Sequence, residues 1–227
     1  MTRPVHCRPI AYEAFRRQLL ELDSTAGLFR AAFAISLHER PEADLGETES
    51  IVENLSDTVR RRVRSRSQQA ILAHLHDVLF DVFGLQGNTE DYYNPANSYL
   101  ADVLQTRLGI PITLVLIYKR VAEPLGIVVH GINAPGHFLA RVEPLADESD
   151  QPMFVDPFFS GELLNRDEVT RRIEQATGRP LGPPRVQLAQ ATNRQWLARM
   201  LNNLLAAFAA KGHDREVCAM QELQELL

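Results

Sequence analysis

The sequence is poor in cysteine and in long apolar runs, and it has no excess of positive charge. Its 227 residues include two cysteines, Cys7 and Cys218, which make neither a disulfide framework nor a metal-binding pattern. The N-terminal segment lacks the apolar core of a signal peptide, and no apolar run approaches the roughly 20 residues of a membrane span. The net charge of −5 provides no basic field for nucleic acid or an anionic membrane. We therefore expect a cytoplasmic protein without a nucleic-acid or membrane partner, and without a metal or cofactor.

The composition is that of a soluble globular protein. Hydrophobic residues make up 45% of the chain and charged residues 23%. Apolar residues recur at helical spacing in four early segments, which predicts helices over residues 11–22, 27–38, 45–64 and 68–83. The length suits one sizeable domain, or one domain with a helical appendage.

The stretch from Gly87 to Gly126 is the predicted centre of the fold. It begins as a polar loop, and we expect a helix to open near Asn97 and Ser98 and to stop at Gly109. A second helix is expected to open on Pro111, since proline suits the first helical position. Residues 112–118 are almost entirely apolar, and a helix without a polar face is normally buried on all sides. The sequence thus predicts a central buried helix.

The periodicity changes after this helix. Three strands are predicted over residues 127–133, 137–143 and 153–158, with links short enough for a small antiparallel sheet. A helix over 164–176 follows, with Asn165 as its cap and Glu168 three residues on. The expected fold class is α+β, with a helical region 1–83, a core 84–176, a Pro/Gly-rich linker 177–192 and a helical hairpin 193–227 that turns at Lys211-Gly212.

Three blocks in a fixed order carry a resemblance to a known family: GNTEDYYNPANSYLADVLQTRLGIPITLVLIYKRVAEPLGI, GINAPGHFLARV and FVDPFFSGELL. Together they resemble the SirB-type branch of the transglutaminase-like (papain-like) superfamily, whose core is followed by tetratricopeptide-like helices. The resemblance implies a triad of a cysteine at a helix start, a histidine on a strand and an acid on the next strand. It assigns the histidine to His137 and the acid to Asp156. The cysteine position falls on Pro111, which has no nucleophilic atom.

This substitution favours a degenerate enzyme that acts as a binding or regulatory module for a protein or peptide, and argues against a cysteine-dependent transglutaminase or protease. An alternative is an active hydrolase or acyltransferase in which His137 and Asp156 activate a water molecule or the hydroxyl of Ser98 or Thr113. A third interpretation is a scaffold that binds partners through the C-terminal helices. One tetratricopeptide-like unit cannot bury its own apolar face, so it docks on the core or on a partner, and a symmetric dimer would also cover it.

Polar and aromatic side chains near the helix starts are the candidates for ligand binding. The same residue types also form turns and helix caps, so both interpretations stay open. The candidates are Asn88, Asp91, Tyr92, Tyr93, Asn97, Ser98, Thr113 and Asn133.

Overall fold

The computed structural model of the chain describes residues 3–65, 67–145, 152–180 and 188–227. Helices in these ranges are α1 (Pro9–Gln18), α2 (Thr25–Ser36), α3 (Leu45–Arg62), α4 (Gln68–His76), α5 (Leu100–Thr106), α6 (Pro111–Ala122), α7 (Arg166–Thr177), α8 (Asn193–Ala210) and α9 (Asp214–Gln224). Strands are β1 (Gln86–Gly87), β2 (Leu108–Gly109), β3 (Val129–Ala134), β4 (His137–Val142), β5 (Met153–Asp156) and β6 (Glu162–Leu164). The expected α+β class is confirmed.

The chain forms two compact units, each assembled from separate stretches. The first unit contains Met1–Ser50, Asn88–Gly109 and Thr192–Leu227, and the second contains Ile51–Gly87 and Ile110–Ala191. The domain bounds proposed from the sequence stay a prediction.

The first unit is helical. Helix α2, predicted over 27–38, begins two residues earlier, after Ser24, whose side chain accepts a hydrogen bond from the Gly27 N–H. It packs on α1, α5 and α8. Helix α8 buries Trp196 and Phe208 among other apolar side chains, and α9 packs against it. The predicted hairpin is therefore present, with Gly212 in its turn at φ +69°, and its first helix completes the core of this unit.

Both ends of α5 differ from the positions predicted for that helix. The segment near Asn97 and Ser98 is a 3₁₀ turn capped by Asn94, and α5 begins only at Leu100. The Asn97 side chain cannot cap a helix because it bonds to the loop that precedes it. Helix α5 ends at Thr106 because Arg107 adopts the left-handed conformation, with φ +66°, two residues before Gly109.

The second unit carries a four-stranded antiparallel sheet in the order β3-β4-β5-β6. The sequence predicted three of these strands and missed β6, whose three residues are too few to show an alternating pattern. Helix α6 packs on β4, and residues 111–118 are all buried, as predicted.

Helix α7 contributes to a second apolar cluster on the sheet. This cluster includes Leu139 of β4 and Val169 and Ile173 of α7. The neighbouring strand residues Phe138 and Ala140 point the other way and are also buried, so both faces of β4 are covered.

Helix α7 begins at the predicted cap. Asn165 and Glu168 form a reciprocal capping box, which satisfies two N–H groups of the first turn.

Part of the predicted turn between β4 and β5 (146–151) and part of the predicted linker (181–187) lie outside the described residues. Every helix within the described ranges is too short or too polar to cross a membrane.

Gly136 provides a test of how tightly α7 packs beside the β3–β4 turn. Its φ is +68°, and a Cβ there would lie 3.2 Å from the Ala176 Cβ, whereas Gly178 has a similar φ of +65° and nothing within 4 Å. We expect Gly178→Ala to cost about 1 kcal/mol of unfolding free energy for the left-handed backbone alone. We expect Gly136→Ala to cost about 2–3 kcal/mol because the added methyl group also crowds α7. Urea denaturation of both variants measures the difference, and equal losses would show that α7 does not restrict the turn.

Candidate active site

His137 and Asp156 form a buried pair on adjacent strands. Since β4 and β5 are antiparallel, His137 at the start of β4 lies beside Asp156 at the end of β5. The His137 Nε2–H donates to Asp156 Oδ2 at 2.8 Å. The His137 side chain is 6% exposed and that of Asp156 is 0% exposed. The two residues that the resemblance assigned to the triad are therefore in contact.

The β3–β4 turn fixes the position of His137. Ala134 and His137 face each other in the register, so Pro135 and Gly136 form a two-residue turn. Such turns need a positive φ, which Gly136 supplies at little cost. His137 is thereby held as the first residue of its strand.

Asp156 accepts hydrogen bonds from two further donors. Arg172 of α7 donates its Nη1–H to Asp156 Oδ2 at 3.1 Å, and the Phe158 N–H donates to Oδ1 at 3.2 Å. The same guanidinium pairs with Glu162 and lies 3.8 Å from the centroid of the Phe159 ring. A buried carboxylate requires such compensation, since an unpaired charge in the interior is costly.

Aromatic rings enclose the imidazole. The Phe158 and Phe159 ring centroids lie 6.2 and 6.3 Å from that of His137. A Cβ on Gly87 would lie 2.5 Å from the Phe158 ring, so glycine leaves the room that this ring fills. The imidazole thus has two aromatic neighbours, while the carboxylate of Asp156 has the charged Arg172 beside it.

The hydrogen bond to Asp156 defines what His137 can do chemically. Because Nε2 carries the donated hydrogen, Nδ1 of the neutral ring holds a lone pair and is the atom that would remove a proton from a nucleophile. Within the described residues, no hydroxyl or thiol group forms a hydrogen bond with His137. Among the described residues, His137 and Asp156 thus have the geometry of a base and the acid that orients it, and no protein nucleophile is hydrogen-bonded to the base.

Pro111 occupies the first position of α6 and is buried. The 3₁₀ turn Pro157–Phe159, which follows Asp156 directly, packs on α6. The helix start expected from the resemblance is present, and it begins with a proline.

The second unit, which holds His137 and Asp156, contains no cysteine in its sequence. Both cysteines belong to the first unit and are free thiols. Burial, and then the charge of Glu222, raise the pKa of Cys7 to about 12. The Cys7 thiol is accordingly protonated at neutral pH, which is the unreactive form.

The hydroxyl candidates are buried. The Thr113 side chain is 0% exposed, and its Oγ1 has no hydrogen-bond partner within the described residues. Ser98 is buried in the first unit, in the 3₁₀ turn Pro95–Ser98. Asn133, by contrast, is an exposed residue of β3 in register with Phe138.

The other predicted ligand-binding residues form a network in the loop of the first unit. Asn97 Nδ2 donates to the carbonyl oxygens of Asp91 (2.7 Å) and Tyr92 (3.1 Å), and Asn88 Nδ2 donates to Asn97 Oδ1 at 3.0 Å. These hydrogen bonds show that Asn88 and Asn97 stabilise the loop. That they also bind a ligand stays a prediction. Tyr92 and Tyr93 are in edge-to-face contact, and Tyr93 is 70% exposed.

Arg172, Phe158 and Phe159 are site residues that the sequence did not reveal. Arg172 is one of several arginines on a polar helix, and its contact with Asp156 spans 16 residues, so no spacing rule points to it. Phe158 and Phe159 belong to the sequence block FVDPFFSGELL, but nothing in that block indicates that their rings contact the imidazole. Among the described residues, no group of three His, Cys, Asp or Glu side chains is arranged to hold a metal ion.

Comparisons with known proteins agree with this geometry. Residues 47–202 match the family model of the transglutaminase-like superfamily. A UPF0162 protein of Xylella fastidiosa is 35% identical over 192 residues, which cover 82% of this chain and 66% of that protein. A UPF0162 protein of Pseudomonas aeruginosa is 28% identical over 208 residues, which cover 88% and 71%. F-box only protein 21 of Homo sapiens is 32% identical over 164 residues, which cover 70% of this chain and 25% of that protein.

The chain thus spans about two thirds of the length of the Xylella relative, 66%. No solved structure gives a significant match. The family match covers well over half of the chain and includes both His137 and Asp156. The chain belongs to the transglutaminase-like superfamily.

Proposed function

We propose that this chain is a non-catalytic member of the superfamily that works as a binding or regulatory module for a protein or peptide. The observation that carries the proposal is a paired His137 and Asp156 in a unit whose central helix begins with Pro111 and which contains no cysteine. Triad chemistry of this type needs a thiolate generated by the imidazole. Without a cysteine sulfur, His137 and Asp156 have no thiol to convert to a thiolate.

The geometry gives little support to a replacement hydroxyl nucleophile. The Thr113 hydroxyl is fully buried, so a substrate has no route to it without movement of α6. Ser98 is 4% exposed. Nucleophile and base normally lie within hydrogen-bond reach, and the described partner of His137 is Asp156.

Support for a module comes from the relatives. In F-box only protein 21 the matched region is a quarter of a larger protein, so this fold occurs as one part of a longer chain. We further propose that the chain belongs to the SirB-type branch, that α8 and α9 form its tetratricopeptide-like unit, and that it works in the cytoplasm, where its two free thiols would persist. Scaffolding through the C-terminal helices is less well supported, because α8 is used in the core of the first unit.

Pro111→Cys tests whether residue 111 is the position of the lost nucleophile. In a Cys7→Ala/Cys218→Ser background, we expect the introduced thiol to titrate at least about 1 pKa unit lower than in the same protein carrying His137→Ala, because an adjacent imidazole stabilises a thiolate. The ultraviolet absorbance of the thiolate measures this titration without requiring access for a reagent. Pro111→Ser in the same background is the control for thiolate absorbance.

Equal titration with and without His137 would show that residue 111 does not face the imidazole. In that case Pro111 would not account for a loss of catalysis.

The two native cysteines test the absence of a reactive thiol. Since the pKa of Cys7 is raised to about 12, its thiolate fraction stays small until the pH approaches that value, and alkylation should be at least about 100-fold slower than for a free cysteine at mildly alkaline pH. Cys218 is only partly buried and should be modified first. Mass spectrometry of iodoacetamide-treated native protein, with urea-unfolded protein as the control, gives both rates. Rapid labelling of Cys7 at neutral pH would contradict the proposal that the chain lacks an activated thiol.

A further inference from the structure

A second site candidate lies in the second unit, between α4 and the sheet. Leu72 and Ala73 lie three and four residues after Gln69, and His76 lies four and three residues after them, so the four residues share one face of α4. Together with Gln68 they line a groove whose opposite wall is formed by Met153 of β5 and Leu163 of β6. The groove encloses about 400 Å³. Small-molecule sites commonly measure roughly 300–1,000 Å³.

The helix changes its winding directly after His76. Residues Asp77–Val82 form a π-helix, a rare conformation that is frequent at functional sites. Phe80 in this segment packs on Gly161, where a Cβ would lie 2.2 Å from the Phe80 ring. The Phe80 ring also stacks on Tyr118, with centroids 6.3 Å apart. These contacts hold the residues beyond His76 in place.

For His76, the structure indicates which of the two ring nitrogens carries the hydrogen atom. Its Nε2 lies 2.9 Å from the Tyr118 hydroxyl oxygen. Tyr118 is fully buried, and His76 is the hydrogen-bond partner of its hydroxyl within the described residues. The phenol O–H therefore donates to Nε2, and the neutral ring carries its own hydrogen on Nδ1.

Burial keeps both groups neutral. It lowers the pKa of His76 to about 4 and raises the pKa of Tyr118. At neutral pH the imidazole is thus an uncharged donor at Nδ1, and among the described residues this atom has no protein partner.

The other described lining groups offer no partner of opposite charge to a charged ligand. The described residues of the lining are apolar side chains, two glutamines and the neutral His76, with no acidic side chain, lysine or arginine. A charged group would lose its hydration there without a partner of opposite charge.

We propose that this groove binds an uncharged, mainly apolar small molecule whose carbonyl oxygen accepts a hydrogen bond from Nδ1–H of His76. Leu72, Met153 and Leu163 would contact its apolar part. Leu163 is 55% exposed, so a bound molecule could cover it. This site is separate from the His137 and Asp156 pair and does not depend on the proposed function.

A peptide is the less favourable occupant. Strand β6 is the last strand in the sheet order, but it has three residues and offers few main-chain groups for an added strand. Five of the seven described lining residues, by contrast, are side chains of α4, which favours a compact molecule.

The test compares two molecules that differ in the carbonyl group. Acetophenone and ethylbenzene are titrated against ¹⁵N-labelled protein, and NMR spectra report saturable binding and the tautomer of His76. We expect acetophenone to bind about three- to ten-fold more tightly than ethylbenzene, the gain expected from one hydrogen bond. His76→Phe should abolish the difference, and Ala73→Trp should abolish binding of both by filling the groove. His74→Phe, two residues away and on another face of α4, should change neither.

Several results would overturn the proposal. These are the absence of saturable binding of acetophenone, binding that persists in Ala73→Trp, or equal affinity of the two molecules for the unmodified protein. Tighter binding of the blocked tripeptide N-acetyl-Ala-Leu-Ala-amide than of acetophenone would assign the groove to a peptide instead. If His76→Phe does not fold, Tyr118→Phe provides the second variant: it frees the tautomer of His76 and should reduce the preference for acetophenone.

Discussion

The carboxylate of Asp156 is the buried charge on which the sheet of the second unit depends. It receives hydrogen bonds from His137 at the start of β4, from the Phe158 N–H in the turn that follows β5, and from Arg172 on α7. One side chain thereby connects three separate elements. Removing one partner of a buried ion pair commonly costs about 3–5 kcal/mol, because the remaining charge is left without compensation. Asp156 is therefore as much a structural residue as a candidate catalytic one.

This double role gives the paired histidine and acid a structural purpose, whether or not Pro111 occupies the nucleophile position that we propose for it. Arg172 makes the carboxylate part of an ion pair that does not require catalysis to be useful. The Phe158 and Phe159 rings enclose the imidazole, and α6 packs on the turn that contains them. Pro111 in turn suits the first position of α6, where a missing N–H costs nothing. His137, Asp156 and Pro111 thus each have a structural explanation in this chain.

The elements that could be predicted from sequence are those with strong local signals. The apolar run after Pro111 predicted a buried helix, Asn165 and Glu168 predicted a cap, and Gly212 predicted the turn of the terminal hairpin. The contact of His137 with Asp156 was implied by the family resemblance of three sequence blocks and not by any local pattern. The errors came from residues whose conformation depends on surroundings: Arg107 takes a left-handed conformation usually found in glycine, and β6 is too short to show a period. Arg172 and the Tyr118 partner of His76 are tertiary contacts over 16 and 42 residues, which no local rule can supply.

The most direct test of the account is a measurement of ammonia release from a glutaminyl peptide, in the presence of an amine acceptor or of water alone. We expect the purified protein to release no more ammonia than its His137→Ala variant, because the imidazole has no thiol to activate. Release by the unmodified protein that is lost in His137→Ala would show that the pair still serves catalysis and would contradict the account.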